Sequence, residues 1–305
     1  MENKKNTSPA IRIPTWIQFG VWLSQQLSTS LATRVALNLF FRPQRFKRPV
    51  REQEMHDNTL QTSCYVPEIL KEIQVFRLAG KGAKVLLLHG WSGRGTQLFA
   101  FADELRKSNA EVVTFDMPAH GQSLGKNTNI VEIVACIKEV HAKYGPFDHA
   151  VAHSFGSMAL LRALRDGISM KSVAIIASGD KIQNVFNRFS EQLRFSDKVT
   201  ERMMQTVEKK FSMNLENYSS RKSLEHLEIP LLIVHDKDDK ETPFVYSKDL
   251  HEIANNSELL LTSGLGHYRI LRDSKTVQHI VQFINQKKPG PISNDIINNF
   301  LNNFY

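Results

Sequence analysis

The chain has 305 residues, 41% of them hydrophobic and 23% charged, which suits a folded protein with an ample core and excludes a disordered or fibrous one. Two cysteines, Cys64 and Cys136, are too few for a disulfide framework and lack zinc-ligand spacing, so a reducing compartment is expected. Of the net charge of +8, residues 1–50 supply +7, with eight Lys or Arg against Glu2, and the other 255 residues about +1; a basic surface for nucleic acid is therefore not expected.

Residues 1–71 read as a basic N-terminal extension, partly helical. Pro14, Gln18, Ser24, Gln25 and Gln26 interrupt any apolar run of signal-peptide or membrane-span type, so a cytoplasmic location is expected, with membrane association as the alternative. Trp16, Phe19, Trp22, Leu23 and Leu27 recur near helical spacing, and Leu31, Val35, Leu37 and Phe40 continue it towards Pro43. A helix packed on the main domain is the first expectation. The second is peripheral contact with an anionic membrane, since aromatic residues on one face lie beside basic ones.

From residue 72 to 288, strand and helix patterns alternate, which predicts one α/β domain with a doubly wound, mostly parallel sheet. Strands are expected near 73–78, 84–88, 111–115, 148–153, 172–177, 230–235 and 258–262, and helices near 95–107, 128–144, 155–166, 244–254 and 274–286. The interval at about 179–226 has helical periodicity without a strand signal and is expected to form a small helical cap. Beyond the Lys-Lys-Pro-Gly-Pro break, residues 289–305 read as an amphipathic tail with Ile292, Ile296, Ile297, Phe300, Leu301 and Phe304 on one helical face.

Five segments carry chemistry. Lys84–Trp91 is a buried strand ending in a tight His-Gly turn. Phe115–Ser123 reads Phe-Asp-Met-Pro-Ala-His-Gly-Gln-Ser. Ala150–Gly156 ends an apolar run with Ser154 between small residues and opens an Ala/Leu-rich helix, the strand–turn–helix context that lifts a hydroxyl above a sheet. Pro230–Pro243 runs from a strand into a loop dense with carboxylates, His-Asp-Lys-Asp-Asp-Lys-Glu. Glu258–Tyr268 ends in a flexible Ser-Gly-Leu-Gly-His-Tyr loop presenting His267.

Together, and in this order, these segments resemble the α/β-hydrolase superfamily, and the carboxylate turn and Gly-Leu-Gly-His loop look like those of a bacterial serine-hydrolase branch. Ala152–His153–Ser154–Phe155–Gly156 is similar to the Gly-x-Ser-x-Gly nucleophile elbow, with Ala152 in place of the first glycine. The resemblance implies Ser154 as nucleophile, His267 as base and Asp239 as orienting acid, with Asp238 in reserve. It also implies an oxyanion site from the backbone amides of Trp91 and Phe155, with no cofactor and no metal. His89 and His120 are expected to hold loops, and Asp236 and Asp238 to belong to a solvated turn.

The expected function is cleavage of a carboxylic ester, or a related acyl bond, of a small-molecule acyl substrate through an acyl-enzyme. A serine rather than an aspartate at the elbow sets the chain apart from dehalogenases and epoxide hydrolases of this fold. Apolar cap residues from Val185 to Met213 are expected mostly in the cap core, with a few lining an acyl pocket. One alternative is a membrane-surface lipid hydrolase of lysophospholipase or monoacylglycerol lipase type. Another, from a different class, is a non-catalytic binding module that keeps the fold.

Overall fold

The computed structural model describes residues 14–285; the tail expected at 289–305 lies outside the described residues. Eight strands form one sheet: β1 Leu60–Val66, β2 Lys71–Leu78, β3 Lys84–Leu88, β4 Glu111–Phe115, β5 His149–His153, β6 Ser172–Ile176, β7 Leu231–Asp236 and β8 Ser257–Thr262. Their spatial order is β1-β2-β4-β3-β5-β6-β7-β8. Only β2 runs against the others. Every residue of β6 and β7 is buried, which explains why these strands read as unbroken apolar runs: helices cover both faces of a parallel sheet.

The helices among the described residues are α1 Thr15–Leu27, α2 Thr29–Phe40, α3 Gln53–Asn58, α4 Phe99–Lys107, α5 Ile130–Tyr144, α6 Phe155–Arg165, α7 Ile182–Leu193, α8 Asp197–Phe211, α9 Ser220–Leu224, α10 Val245–Ile253, α11 Gly266–Arg269 and α12 Ser274–Asn285. On one face α5 and α6 bury Ile133, Val140, Leu160 and Leu161, and α10 buries Leu250. On the other, α4 and α12 bury Phe101, Leu105, Ile280 and Ile284.

The strand β1 is absent from the sequence expectation. It is an edge strand whose fully buried side chains are those of Cys64 and Val66, while Leu60 and Tyr65 are exposed; so little one-sided burial leaves no clear alternation to read. Between β6 and β7 the chain forms a helical insertion, α7 to α9. Its two ends are tied where the chain leaves β6, by Arg221 donating Nε to Asp180 Oδ1 (3.0 Å) and Nη2 to Oδ2 (3.1 Å). Asp180 is buried, so this two-pronged pair is a strong anchor.

The two N-terminal helices differ in how much they bury. Helix α2, capped by Ser28 Oγ accepting the Leu31 amide (3.1 Å), buries Ala32 and Ala36 and packs on α8. Helix α1 buries Val21 and Ser24 but leaves Trp16 (74%), Phe19 (62%), Trp22 (54%) and Leu27 (66%) exposed. Gln25 fastens α1 to the turn between α7 and α8, donating to the Arg194 carbonyl (3.1 Å) and accepting the Ser196 amide (2.9 Å). Beyond α2 the chain lies across the strand ends: the Gln44 amide donates to Ser92 Oγ (2.9 Å) and Arg45 to the carbonyls of Ala119 (2.9 Å), Ser123 (2.5 Å) and Gly125 (3.1 Å). Among the described residues no helix is long and apolar enough to cross a membrane.

Candidate active site

Ser154 stands between β5 and α6 with φ 52° and ψ −121°. A non-glycine residue in that region stores about 1–3 kcal/mol and persists only where its surroundings hold it. Here the Ser154 amide donates to the Ile176 carbonyl of β6 (2.8 Å), and Ser157 Oγ closes the turn on the Ala152 carbonyl (2.9 Å). The small neighbours have steric causes. A Cβ on Gly156 would collide with the His89 carbonyl, and Ala152 is fully buried between β3 and β6.

The structure brings Ser154, His267 and Asp239 together although they are far apart in sequence. His267 Nδ1 lies 2.7 Å from Asp239 Oδ2, and His267 Nε2 lies 3.1 Å from Ser154 Oγ. A carboxylate only accepts, so Nδ1 carries the hydrogen and Nε2 is left to accept the serine proton. The other oxygen of Asp239 accepts the amides of Glu241 (2.7 Å) and Thr242 (2.9 Å). Burial alone would raise the Asp239 carboxyl, but hydrogen bonds from His235 and His267 outweigh it and hold the group well below the usual carboxylate range.

Asp238 lies exposed in the turn, as expected, whereas Asp236 is buried at the end of β7. Asp236 accepts the amides of Leu265 (3.1 Å) and Gly266 (2.9 Å) and the Thr262 hydroxyl (2.7 Å), while Asp238 accepts the Gly264 amide (2.6 Å). Burial pushes the Asp236 carboxyl up, and these donors more than reverse that. The two carboxylates thus moor the histidine segment, and His267 sits in a short helical turn, α11, rather than in a free loop. Of the two candidate acids, Asp238 holds the backbone and Asp239 meets the imidazole.

Several buried histidines complete the surroundings. His89 Nε2 accepts the Met117 amide (3.0 Å) and His120 Nε2 accepts the Ser92 amide (3.0 Å), so both brace loops as the sequence suggests. Burial lowers His120 to about 4, and burial likewise drives His89 and His153 down, so all three are neutral at pH 7. His153 Nε2 donates to the His267 carbonyl (3.0 Å), with the two rings 4.6 Å apart. His235 Nε2 lies 3.2 Å from Asp239 Oδ2 and 3.0 Å from the Thr242 carbonyl. Neither His153 nor His235 stands out by sequence, because both lie in buried strands, β5 and β7, where a histidine reads as core.

Of the two amides expected to form an oxyanion site, that of Phe155 directly follows the serine in sequence. Phe155 is the first residue of α6, where an amide has no intrahelical acceptor. Trp91 follows Gly90 in the turn after β3, and its ring meets that of Phe155 edge-on at 5.4 Å. Gly90 must be small: a Cβ there would lie 2.9 Å from His153 Nδ1 and 3.0 Å from Ser154 Cβ.

Ser154 and His267 open on a mostly apolar cavity of ≈ 250 Å³. The insertion lines it with Val185, Phe186, Phe189, Val207, Phe211 and Met213, whereas Leu193, Phe195 and Met203 are buried in the core. Leu39, Phe40 and Phe41, at the end of α2, supply another wall. Phe40 stacks on Phe186 (4.4 Å between centroids) and meets Phe189 edge-on (5.1 Å). The sequence treats this helix as packing or membrane contact and gives no sign that its last turn faces the site.

The fold has counterparts among solved structures. An esterase from Exiguobacterium antarcticum superposes with a TM-score of 0.59 at 16% identity, covering 74% of this chain and 100% of that one. An esterase from Pyrococcus furiosus superposes with a TM-score of 0.60 at 18% identity, covering 80% and 95%. A bacterial virulence factor described as a membrane phospholipase A superposes with a TM-score of 0.60 at 15% identity, covering 89% and 98%. At such identities the likeness is one of fold. No curated protein sequence matches the chain. The model of the alpha/beta hydrolase family matches residues 85–277, well over half of the chain, from β3 into the first turn of α12 and including the elbow, the carboxylate turn and the histidine, and the chain belongs to that family.

Proposed function

We propose that the protein is a serine hydrolase that cleaves a carboxylic ester, or a related acyl bond, through an acyl-enzyme on Ser154. One observation carries the reading: the unbroken relay from Ser154 Oγ to His267 Nε2 (3.1 Å) and from His267 Nδ1 to Asp239 Oδ2 (2.7 Å) opens on an apolar cavity. Ser154 Oγ attacks the acyl carbon as its proton passes to His267 Nε2, and Asp239 stabilises the imidazolium. The Trp91 and Phe155 amides receive the negative charge on the former carbonyl oxygen. Collapse breaks the bond to the leaving oxygen, which takes the proton from His267; water, activated by the same nitrogen, then releases the acid. The helical insertion acts as a cap that selects the acyl chain.

The test is hydrolysis of p-nitrophenyl esters of increasing acyl length by wild type and Ser154→Ala. A loss of about 10⁴-fold or more in the variant supports the reading, and equal rates sink it. A lipid-directed variant of this function draws support from the exposed Trp16, Phe19 and Trp22 of α1 beside the basic N-terminal residues. Replacing these three side chains by serine is expected to abolish co-sedimentation with anionic vesicles. Deletion through residue 48 is a poorer probe, because it removes the Leu39–Phe41 wall as well.

A further inference from the structure

Glu241 brings a carboxylate to the lining of the mostly apolar cavity, which Asn129, Arg188 and Gln192 also line. Its backbone is fixed by the amide's bond to Asp239 (2.7 Å), and its Oε2 accepts the Tyr268 hydroxyl (2.9 Å). The same Oε2 lies 3.8 Å from His267 Nε2, the nitrogen that protonates the leaving oxygen. Burial raises the Tyr268 hydroxyl, and the adjacent Glu241 charge adds to that rise, so the phenol stays a donor. The pair is therefore a tethered carboxylate beside the place where the alcohol departs, and a carboxylate with one donor keeps further acceptor sites.

We propose that Glu241 forms a leaving-group subsite, and that the natural ester is one whose alcohol bears a hydroxyl donor two or three bonds from the ester oxygen. The inference rests on the serine-hydrolase reading. During acylation the leaving oxygen must come within hydrogen-bond reach of His267 Nε2, about 3 Å. A neighbouring hydroxyl of the same alcohol then falls within reach of the Glu241 carboxylate. An alkyl alcohol offers that carboxylate nothing and leaves it to water, whereas a polyol satisfies it with a charge-assisted bond. The acyl chain lies against the apolar part of the lining, Phe40, Phe186 and Phe189.

The experiment compares kcat/KM for glycerol 1-monobutanoate and ethyl butanoate, which share one acid and differ in the alcohol. Wild type is expected to prefer the glycerol ester. In Glu241→Leu the ratio of the two constants should fall roughly tenfold, the scale of one hydrogen bond to a charged group. Glu241→Gln, which keeps the shape and one acceptor oxygen, should fall in between. The proposal is overturned if wild type shows no preference. It is also overturned if the ratio is unmoved in both variants while the two constants drop together with a shifted pH profile, since Glu241 would then act through His267. Activity on neither ester, in wild type, would instead overturn the serine-hydrolase reading on which the subsite depends.

Discussion

The cluster at the strand ends and the wall of the cavity are built on opposite principles. Ser154, Asp239 and His267 are held by backbone devices: an elbow in a strained conformation, a carboxylate fixed by two amides, and a histidine turn moored by Asp236 and Asp238. The cavity wall needs mainly apolar volume, and it comes from distant pieces, Leu39–Phe41 at the end of α2 and Phe186, Phe189 and Phe211 of the insertion. A device of the first kind tolerates no substitution, while a wall of the second kind yields by degrees.

The largest effect should come from the acid. Asp239→Asn is expected to keep the fold and lose about 10⁴-fold in kcat, because an amide can stabilise the wrong imidazole tautomer; p-nitrophenyl ester turnover measures it. A loss smaller than tenfold would mean that the carboxylate does not orient His267. Next comes Gly90→Ala, whose methyl would press on Ser154 Cβ and His153. A misplacement of about 1 Å costs on the order of 10²-fold in kcat, and thermal unfolding of the variant should show the fold retained.

How much of this comparison was legible in sequence follows from the same contrast. The central strands could be read because full burial leaves unbroken apolar runs such as Leu86–Leu88 and Leu231–Val234. Ser154 could be read because its conformation demands small neighbours within two residues. Edge strand β1 could not, since little besides Cys64 and Val66 is buried in it. The mooring by Asp236 and Asp238 was equally hidden: a carboxylate in a turn looks the same whether it faces water or the amides of a segment almost thirty residues on. The pocket side of α2 was hidden because Leu37 and Phe40 satisfy a helical stripe whatever they pack against.

Further down the scale, Phe40→Ala should deepen the cavity where it stacks on Phe186. The preferred acyl chain should lengthen, with about a tenfold change in the ratio of kcat/KM for long against short p-nitrophenyl esters and little change in kcat on the preferred chain. An unchanged length profile would remove α2 from the pocket. The smallest effect per step is on stability. Burial holds His120 at about 4 in the folded state against an ordinary 6.5. Its contribution is complete above about pH 6.5 and is lost as pH falls towards 4, because the unfolded chain takes up a proton that the folded one refuses. The slope for one such group is about 1.4 kcal/mol per pH unit, with His89 and His153 acting in the same direction. Urea unfolding at pH 7, 6 and 5 should show stability falling throughout; a flat profile would contradict buried neutral histidines.

The most direct test of the central claim is covalent labelling with an alkyl fluorophosphonate, followed by intact-mass measurement and peptide mapping. One adduct per chain is expected, located on Ser154, absent from Ser154→Ala and formed far more slowly by His267→Ala. No adduct on the wild-type protein, or an adduct on another residue that survives in Ser154→Ala, would contradict that claim.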